Sequence, residues 1–290
     1  MRSQVILADD FTGAHDVGLP FAMLGFDTVV ISDPEHLVTV EADIIVVNTG
    51  SRDCSVEEAI KHVGDVCRAI QTQELNLLYK KIDSTLRGHI GREIDCIHES
   101  FDHHLTIVAP AFPALGRTTV GGYQLVNGVP VDQTSAGRDP GSPVSTAYLL
   151  DLIREQSVLP VAHVDLRTFT QGRDAVADAI ADHQSTSYVT VVMDAATEED
   201  LAIILDSIDA DSQPVLCGSA GLARTLASQM AEKAGMDGES ARILPGADGP
   251  ILTIAGSVNP VTVSQVEGAE GQTGISVIHI DAMSLLSEQA

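Results

Sequence analysis

Tyr79-Lys80-Lys81-Ile82-Asp83-Ser84-Thr85-Leu86-Arg87-Gly88-His89-Ile90-Gly91-Arg92-Glu93 is the run whose reading decides the fold. It follows the apolar residues Leu75, Leu77 and Leu78 and precedes Ile90, Ile94, Ile97 and Phe101 at helical spacing, so it reads as strand, polar loop, helix. Such a loop opens at a helix N-terminus, where backbone N–H groups without partners favour an anion. Of the four lysines in the chain, Lys80 and Lys81 stand side by side here, shortly before Arg87. Solvated charge explains either lysine alone, and capping explains Asp83 or Ser84 alone. The density of cations, hydroxyls and a carboxylate in one loop points instead to a site for a carboxylate or phosphate.

Working outward, 290 residues suffice for one large or two modest cores. A hydrophobic content of 44% with 3% aromatic residues and no Trp means cores of Val, Ile, Leu and Ala, which favours an α/β architecture. No run approaches the roughly 20 apolar residues of a membrane span. The N-terminus leads straight into apolar 5–8 without a signal-peptide pattern, so the expectation is a cytoplasmic protein with no membrane partner. Cys54, Cys67, Cys96 and Cys217 show no paired spacing, and the histidines show no metal-ligand spacing, so no metal site is expected. A net charge of −25 excludes nucleic acid as a natural partner and requires a local cationic patch to hold any anionic ligand.

Toward the N-terminus, apolar 5–8 runs into Asp9-Asp10-Phe11-Thr12-Gly13 and then a helical pattern through Val17, Phe21 and Leu24. Adjacent carboxylates at the end of a first strand lie where open α/β sheets place ligands, and successive residues face opposite ways, so one can enter a cleft while the other caps the helix. They suit a metal contact, a general base or an acceptor for substrate hydroxyls. Strands are expected at 28–31 and 44–47, the latter ending in a polar loop with Arg52, and a helix at 56–70 capped by Ser55. Toward the C-terminus come a strand at 105–109 and a proline-pinned loop carrying Arg117. Asn127-Gly128 signals a hairpin, and 132–143 reads as a flexible loop.

Helices at 145–154, 173–182, 198–208 and 222–233 then alternate with strands at 161–164, 189–193 and 215–217. Gly218-Ser219-Ala220-Gly221 fits either phosphate contact or tight packing. The expected organisation is a three-layer α/β substrate domain at 1–234, a linker at 235–249 and the start of a second α/β domain at 250–290, with strands at 251–255 and 275–280.

Ala8-Asp9-Asp10-Phe11-Thr12-Gly13-Ala14, Lys80-Lys81-Ile82-Asp83-Ser84-Thr85-Leu86-Arg87-Gly88, Ala109-Pro110-Ala111-Phe112-Pro113 with Gly116-Arg117, and Gly256-Ser257 with Pro260-Val261-Thr262 together resemble the four-carbon acid sugar kinase family. The resemblance implies a domain that binds threonate, erythronate or 3-oxo-tetronate, followed by a domain that binds ATP with Mg2+. It implies transfer of phosphate to the terminal hydroxyl. Asp10, Asp83 and Arg87 are then the expected catalytic residues, and Asp9, Thr12, Lys80, Lys81, Ser84 and Arg117 the expected substrate-binding residues. Gly256 and Ser257 are the expected nucleotide contacts. Members of that family continue past this length to a Gly-rich nucleotide loop, so the resemblance implies an incomplete second domain, completed by a separate chain or absent. A kinase, with a homo-oligomer among its expected partners, and a non-catalytic sugar-acid-binding module or remnant are both kept. A metal-dependent lyase built on Asp9 and Asp10 ranks below them.

Overall fold

The computed structural model describes residues 3–101, 103–184, 188–209, 212–236, 249–256 and 260–281. Its chain divides into two compact units, Met1–Arg242 and Ile243–Ala290.

The first unit alternates strand and helix from its start. β1 (Gln4–Ala8), α1 (Phe11–Met23), β2 (Thr28–Ile31), β3 (Ile44–Asn48), α2 (Val56–Thr72), β4 (Asn76–Lys81), α3 (Ile90–Phe101) and β5 (Leu105–Ala109) come first. A small antiparallel sheet of β6 (Arg117–Val120), β7 (Tyr123–Val126) and β8 (Val129–Pro130) follows. The chain then continues through α4 (Leu149–Gln156), β9 (Val161–Val164), α5 (Leu166–Phe169), α6 (Arg173–Gln184), β10 (Val189–Met193), α7 (Glu198–Asp206), β11 (Val215–Gly218) and α8 (Ala220–Ala234).

Eight strands form one parallel sheet in the order β2-β3-β1-β4-β11-β5-β10-β9. Parallel sheets need cover on both faces, and the side-chain alternation supplies it. Ile6, Ala8, Ile44 and Val46 face one way into a core shared with α1, α6, α7 and α8. Val5, Leu7, Ile45 and Val47 face the other way, against α2 and α3, and a third cluster joins α3 and α4 to β5 and β10. The expected three-layer α/β architecture is what forms.

The helix starts follow local chemistry. Asp10 caps α1 by accepting from the Gly13 N–H at 2.9 Å, and Ser55 and Glu58 form a reciprocal capping box on α2. Gly218 and Gly221 are packing glycines: a Cβ would meet Ala109 O at 2.5 Å and Ala111 O at 2.7 Å.

Two expectations need correction here. The segment 132–143 folds into short 3-10 turns at Val131–Gln133 and Ala136–Arg138 and is tied down by side chains, because its Pro and Gly report turn geometry rather than freedom. The helix expected from 145 begins at Leu149, and β6 and α5 carry no periodic signal long enough to announce them.

In the second unit the strands expected at 251–255 and 275–280 do not form. Ile251, Ile254 and Ile278 are each more than four-fifths exposed, and an apolar run without a ladder partner or packing surface does not make a strand. α9 (Pro260–Ala269) is the regular element described there. Residues 237–248 of the expected linker lie outside the described residues.

Candidate functional site

Parallel pairing sets the ends of β1, β3, β4 and β11 level with one another. Ala8 is in register with Asn48 on one side and Lys81 on the other, and Lys81 with Gly218. The chain leaves β1 for β2 and β3 on one side and then crosses to β4 on the other, so the loops after these strands diverge at a topological switch point. Asp9 and Asp10 follow β1, Ser51 and Arg52 follow β3, and Asp83 to Gly88 follow β4.

Arg52 closes the first part of the site. Its Nε donates to Asp9 Oδ2 at 2.8 Å, and its Nη2 donates to Asp9 Oδ1 at 3.0 Å and to Asp10 Oδ1 at 2.7 Å. Burial works against ionisation of Asp9, but the charge of Lys80, the hydrogen bonds and charge of Arg52, and the charge of Lys81 outweigh it and hold the carboxyl below its usual range. Asp10 goes the other way: burial, assisted by the neighbouring Asp9 charge, raises its pKa despite Arg52. Adjacent carboxylates thus have pKa values pushed apart, the pattern that separates a permanent anion from a proton acceptor.

Lys80 is fully buried. Its Nζ lies 2.5 Å from Glu93 Oε2 and donates to Lys81 O at 3.0 Å. Ser51 Oγ donates to the other oxygen of Glu93 at 2.7 Å, so Glu93 joins β4, α3 and the loop after β3. Lys80 acts as an internal strut that also biases Asp9, which differs from its expected substrate contact.

The β4–α3 loop is tightly determined. Arg87 Nε donates to Asp83 Oδ2 at 2.6 Å, Thr85 Oγ1 donates to the same oxygen, and Arg87 Nη1 donates to Asp139 Oδ2 at 3.1 Å. Against the cost of burial, the Arg87 contact and the Arg52 charge drive the Asp83 pKa far below that of a free carboxylate. Leu86 is held at φ 64, a left-handed conformation unusual for a side chain of its size and a mark of local strain. Gln124 Nε2, from β7, donates to Ser84 O at 2.7 Å, and Gly88 N donates to Ser142 Oγ at 2.8 Å. The small sheet and the 132–143 segment therefore brace the loop.

Lys81 is different from the other cations of the site. It is 5% exposed, and its ammonium has neither a hydrogen bond nor an ion pair among the described residues. Burial lowers its pKa against the opposing pull of Asp9, Asp83 and Asp10. Thr12 sits nearby on the first, exposed turn of α1.

The structure thus gathers Asp9, Asp10, Thr12, Lys80, Lys81, Asp83, Ser84 and Arg87. Arg117 is not in the network, since its Nη1 bonds back to Leu115 O at 2.5 Å. Gly256 is exposed in an irregular segment, and Ser257 lies outside the described residues. Arg52, Glu93 and Asp139 escaped the sequence reading as site residues. The ending of β1 and β3 in adjacent polar loops was the available signal for Arg52. An apolar groove of about 420 Å³, lined by Leu19, Met23, Phe112 and Leu115, carries one cation, Arg224, already paired with Glu198 at 2.9 Å.

Fold and site define an α/β protein with a doubly covered parallel sheet and a densely charged polar site at its switch point. Residues 4–226 match the model of the sugar-binding N-terminal domain, and the chain belongs to this family, that of the four-carbon acid sugar kinases. It is 33% identical over 288 residues to a D-threonate kinase of Salmonella typhimurium, covering 99% of this chain and 65% of that protein. It is 33% identical to a D-erythronate kinase of Heliobacterium modesticaldum (99% and 64%), and 32% identical to a 3-oxo-tetronate kinase of Escherichia coli (90% and 68%). The chain thus spans about two thirds of the length of these relatives. Among solved structures it is similar to a Haemophilus influenzae protein at TM-score 0.70 and 25% identity, covering 79% of this chain and 56% of that one. It is also similar to a domain of unknown function from Bordetella bronchiseptica at TM-score 0.69 and 29% identity (80% and 57%), described as a domain-swapped dimer with bound citrate.

Proposed function

We propose that this chain binds a four-carbon sugar acid and serves its ATP-dependent phosphorylation on the terminal hydroxyl. The observation that carries the reading is Asp10: a carboxylate of raised pKa beside two carboxylates held ionised, at the switch point of a sugar-binding fold. A group with that environment accepts the proton of an attacking hydroxyl, while Arg52 keeps it oriented. The names of the relatives support the acid and the transfer, and the citrate in the Bordetella protein supports a small hydroxy acid as the ligand class. That protein's dimer likewise supports a homo-oligomer.

The described residues do not form a set for Mg2+. Both oxygens of Asp9 are taken by Arg52, Asp83 Oδ2 is taken by Arg87 and Thr85, and no group of three His, Cys, Asp or Glu among the described residues could hold a metal ion. The chemistry assigned to this chain is therefore binding, orientation and proton acceptance. A sugar-acid-binding module is the second reading, supported by the match of residues 4–226 to a sugar-binding domain.

The test is consumption of Mg-ATP in the presence of D-threonate, D-erythronate or 3-oxo-tetronate. We expect turnover with one acid and a loss of about 10²–10⁴-fold in Asp10→Asn with binding of the acid retained. Binding of an acid without turnover supports the module, and neither binding nor turnover overturns both readings.

A further inference from the structure

We infer that the fold is built for concentrated salt: its surface holds a surplus of carboxylates, and the folded state reaches full stability only when monovalent cations screen them. The inference is independent of the proposed function, because it concerns the surface and not the site.

The first observation is how the charge is divided between interior and surface. The chain has 41 acidic against 16 basic residues and a net charge of −25. Four of the bases, Arg52, Lys80, Lys81 and Arg87, are gathered in the site, where Arg52 and Lys80 hold the buried carboxylates of Asp9 and Glu93. Cations are thereby withdrawn from the surface. A net charge far from zero opposes the compact state by self-repulsion.

The second is where the surplus lies. Between Arg2 and Arg52 the sequence has no Lys or Arg, while Asp16, Asp27, Asp33, Glu35, Glu41 and Asp43 are all exposed. Asp43 Oδ2 accepts from the backbone N–H of Asp27 at 3.0 Å, so two acidic residues are held together just before β2 and β3. Between Arg173 and Arg224 there is again no Lys or Arg. Asp174, Asp178 and Asp182 recur at every fourth residue along the exposed side of α6, and Glu199 and Asp206 are exposed on α7, which packs beside it. Like charges at that spacing oppose the helix that carries them.

The third is what screening would remove. Among the described residues, the exposed Lys and Arg ion pairs are those of Lys61 and Arg68 with Asp65, Arg154 with Asp151, and Arg224 with Glu198. Exposed pairs of this kind contribute little, and buried pairs are screened much less than surface charges. Salt therefore removes repulsion and leaves the interior pairs in place. The screening length falls from about 10 Å at 0.1 M to about 3 Å at 1 M, so carboxylates one helical turn apart repel in the first case and are shielded in the second. The effect is diffuse, since no group of His, Cys, Asp or Glu among the described residues could hold a metal ion.

The experiment is thermal unfolding of the full chain, followed by circular dichroism, from about 0.1 M to about 2 M KCl. NaCl is run over the same range, and sucrose at matched osmolality serves as the uncharged co-solvent. We expect the melting temperature to rise by about 10 °C or more in either salt. Sucrose should raise it less, because it strengthens burial without screening charge. The combined variant Asp27→Asn, Glu41→Gln and Asp178→Asn lies outside the site and changes charge at nearly constant shape. It should melt above wild type at low salt and converge with it at high salt.

A melting temperature that is flat or falls with salt overturns the inference. So does an equal gain in sucrose, which assigns the effect to burial, and so does a folded variant with the wild-type salt response. The wild-type series decides alone if the variant does not fold.

Discussion

At the residue scale, the two carboxylates on either side of Arg52 predict opposite responses to the same substitution. Asp83 has a folded-state pKa below its unfolded value of about 3.9, so its contribution to stability is fully present above that pH and is lost as pH falls through the folded pKa. Asp83→Asn should therefore destabilise the protein at pH 7 and cost less at pH 3, measured by urea unfolding at both. Asp10 has a raised folded-state pKa, so its ionisation opposes folding as pH rises past the unfolded value. Asn also serves as an N-cap. Asp10→Asn should then be neutral or stabilising at pH 7 while cutting turnover about 10²–10⁴-fold, and a destabilisation comparable to that of Asp83→Asn would contradict this assignment. The separation of the two roles was not legible in the sequence, where Asp9, Asp10 and Asp83 look alike. It depends on Arg52, which pairing of β1 with β3 brings across 43 positions to Asp9.

At the element scale, α3 is held to the sheet by one buried charge pair and to α4 by close packing. Glu93 satisfies Lys80 where no water reaches either group, so Glu93→Ala leaves an unpaired buried ammonium and should cost about 3–5 kcal/mol in chemical denaturation. Gly91 lies where a Cβ would come within 2.8 Å of Gln156 Cβ and 3.0 Å of Ile153 O. Gly91→Ala should force α3 from α4 and cost about 1–3 kcal/mol, although alanine is the better helix former. The helix itself was readable from Ile90, Ile94 and Ile97, because amphipathic spacing is a local signal; its partners were not, since Lys80 and Glu93 look like ordinary surface charges on either side of a loop. The Asn127-Gly128 hairpin was readable for the same local reason, with β7 and β8 pairing around it. Its partner β6 was hidden, because Arg117 to Val120 becomes a strand only by pairing with β7 and by the Thr119 bridge to Ala195. Likewise the proline- and glycine-rich 132–143 segment disclosed its turns but not its anchor, the Asp139 contact to Arg87.

At the scale of the whole molecule, the three apolar cores, among the described residues, draw on Val5 to Met236. The sheet closes with β11, and α8 ends at a left-handed Gly235, a helix stop that needs nothing after it. The described residues of the second unit include exposed apolar side chains such as Ile251, Leu252 and Ile254. Deleting residues 243–290 should therefore leave the melting temperature of the first unit within a few degrees of the full chain, read by circular dichroism. The same deletion should improve solubility, measured by light scattering at rising concentration, because it removes an apolar surface. Since Asp9, Asp10, Lys81, Asp83 and Arg87 all lie in the first unit, the shortened chain should also bind the sugar acid with unchanged affinity. A fall of more than a few degrees would show that the cores are not self-sufficient. A loss of acid binding at an unchanged melting temperature would place part of the ligand site after residue 242.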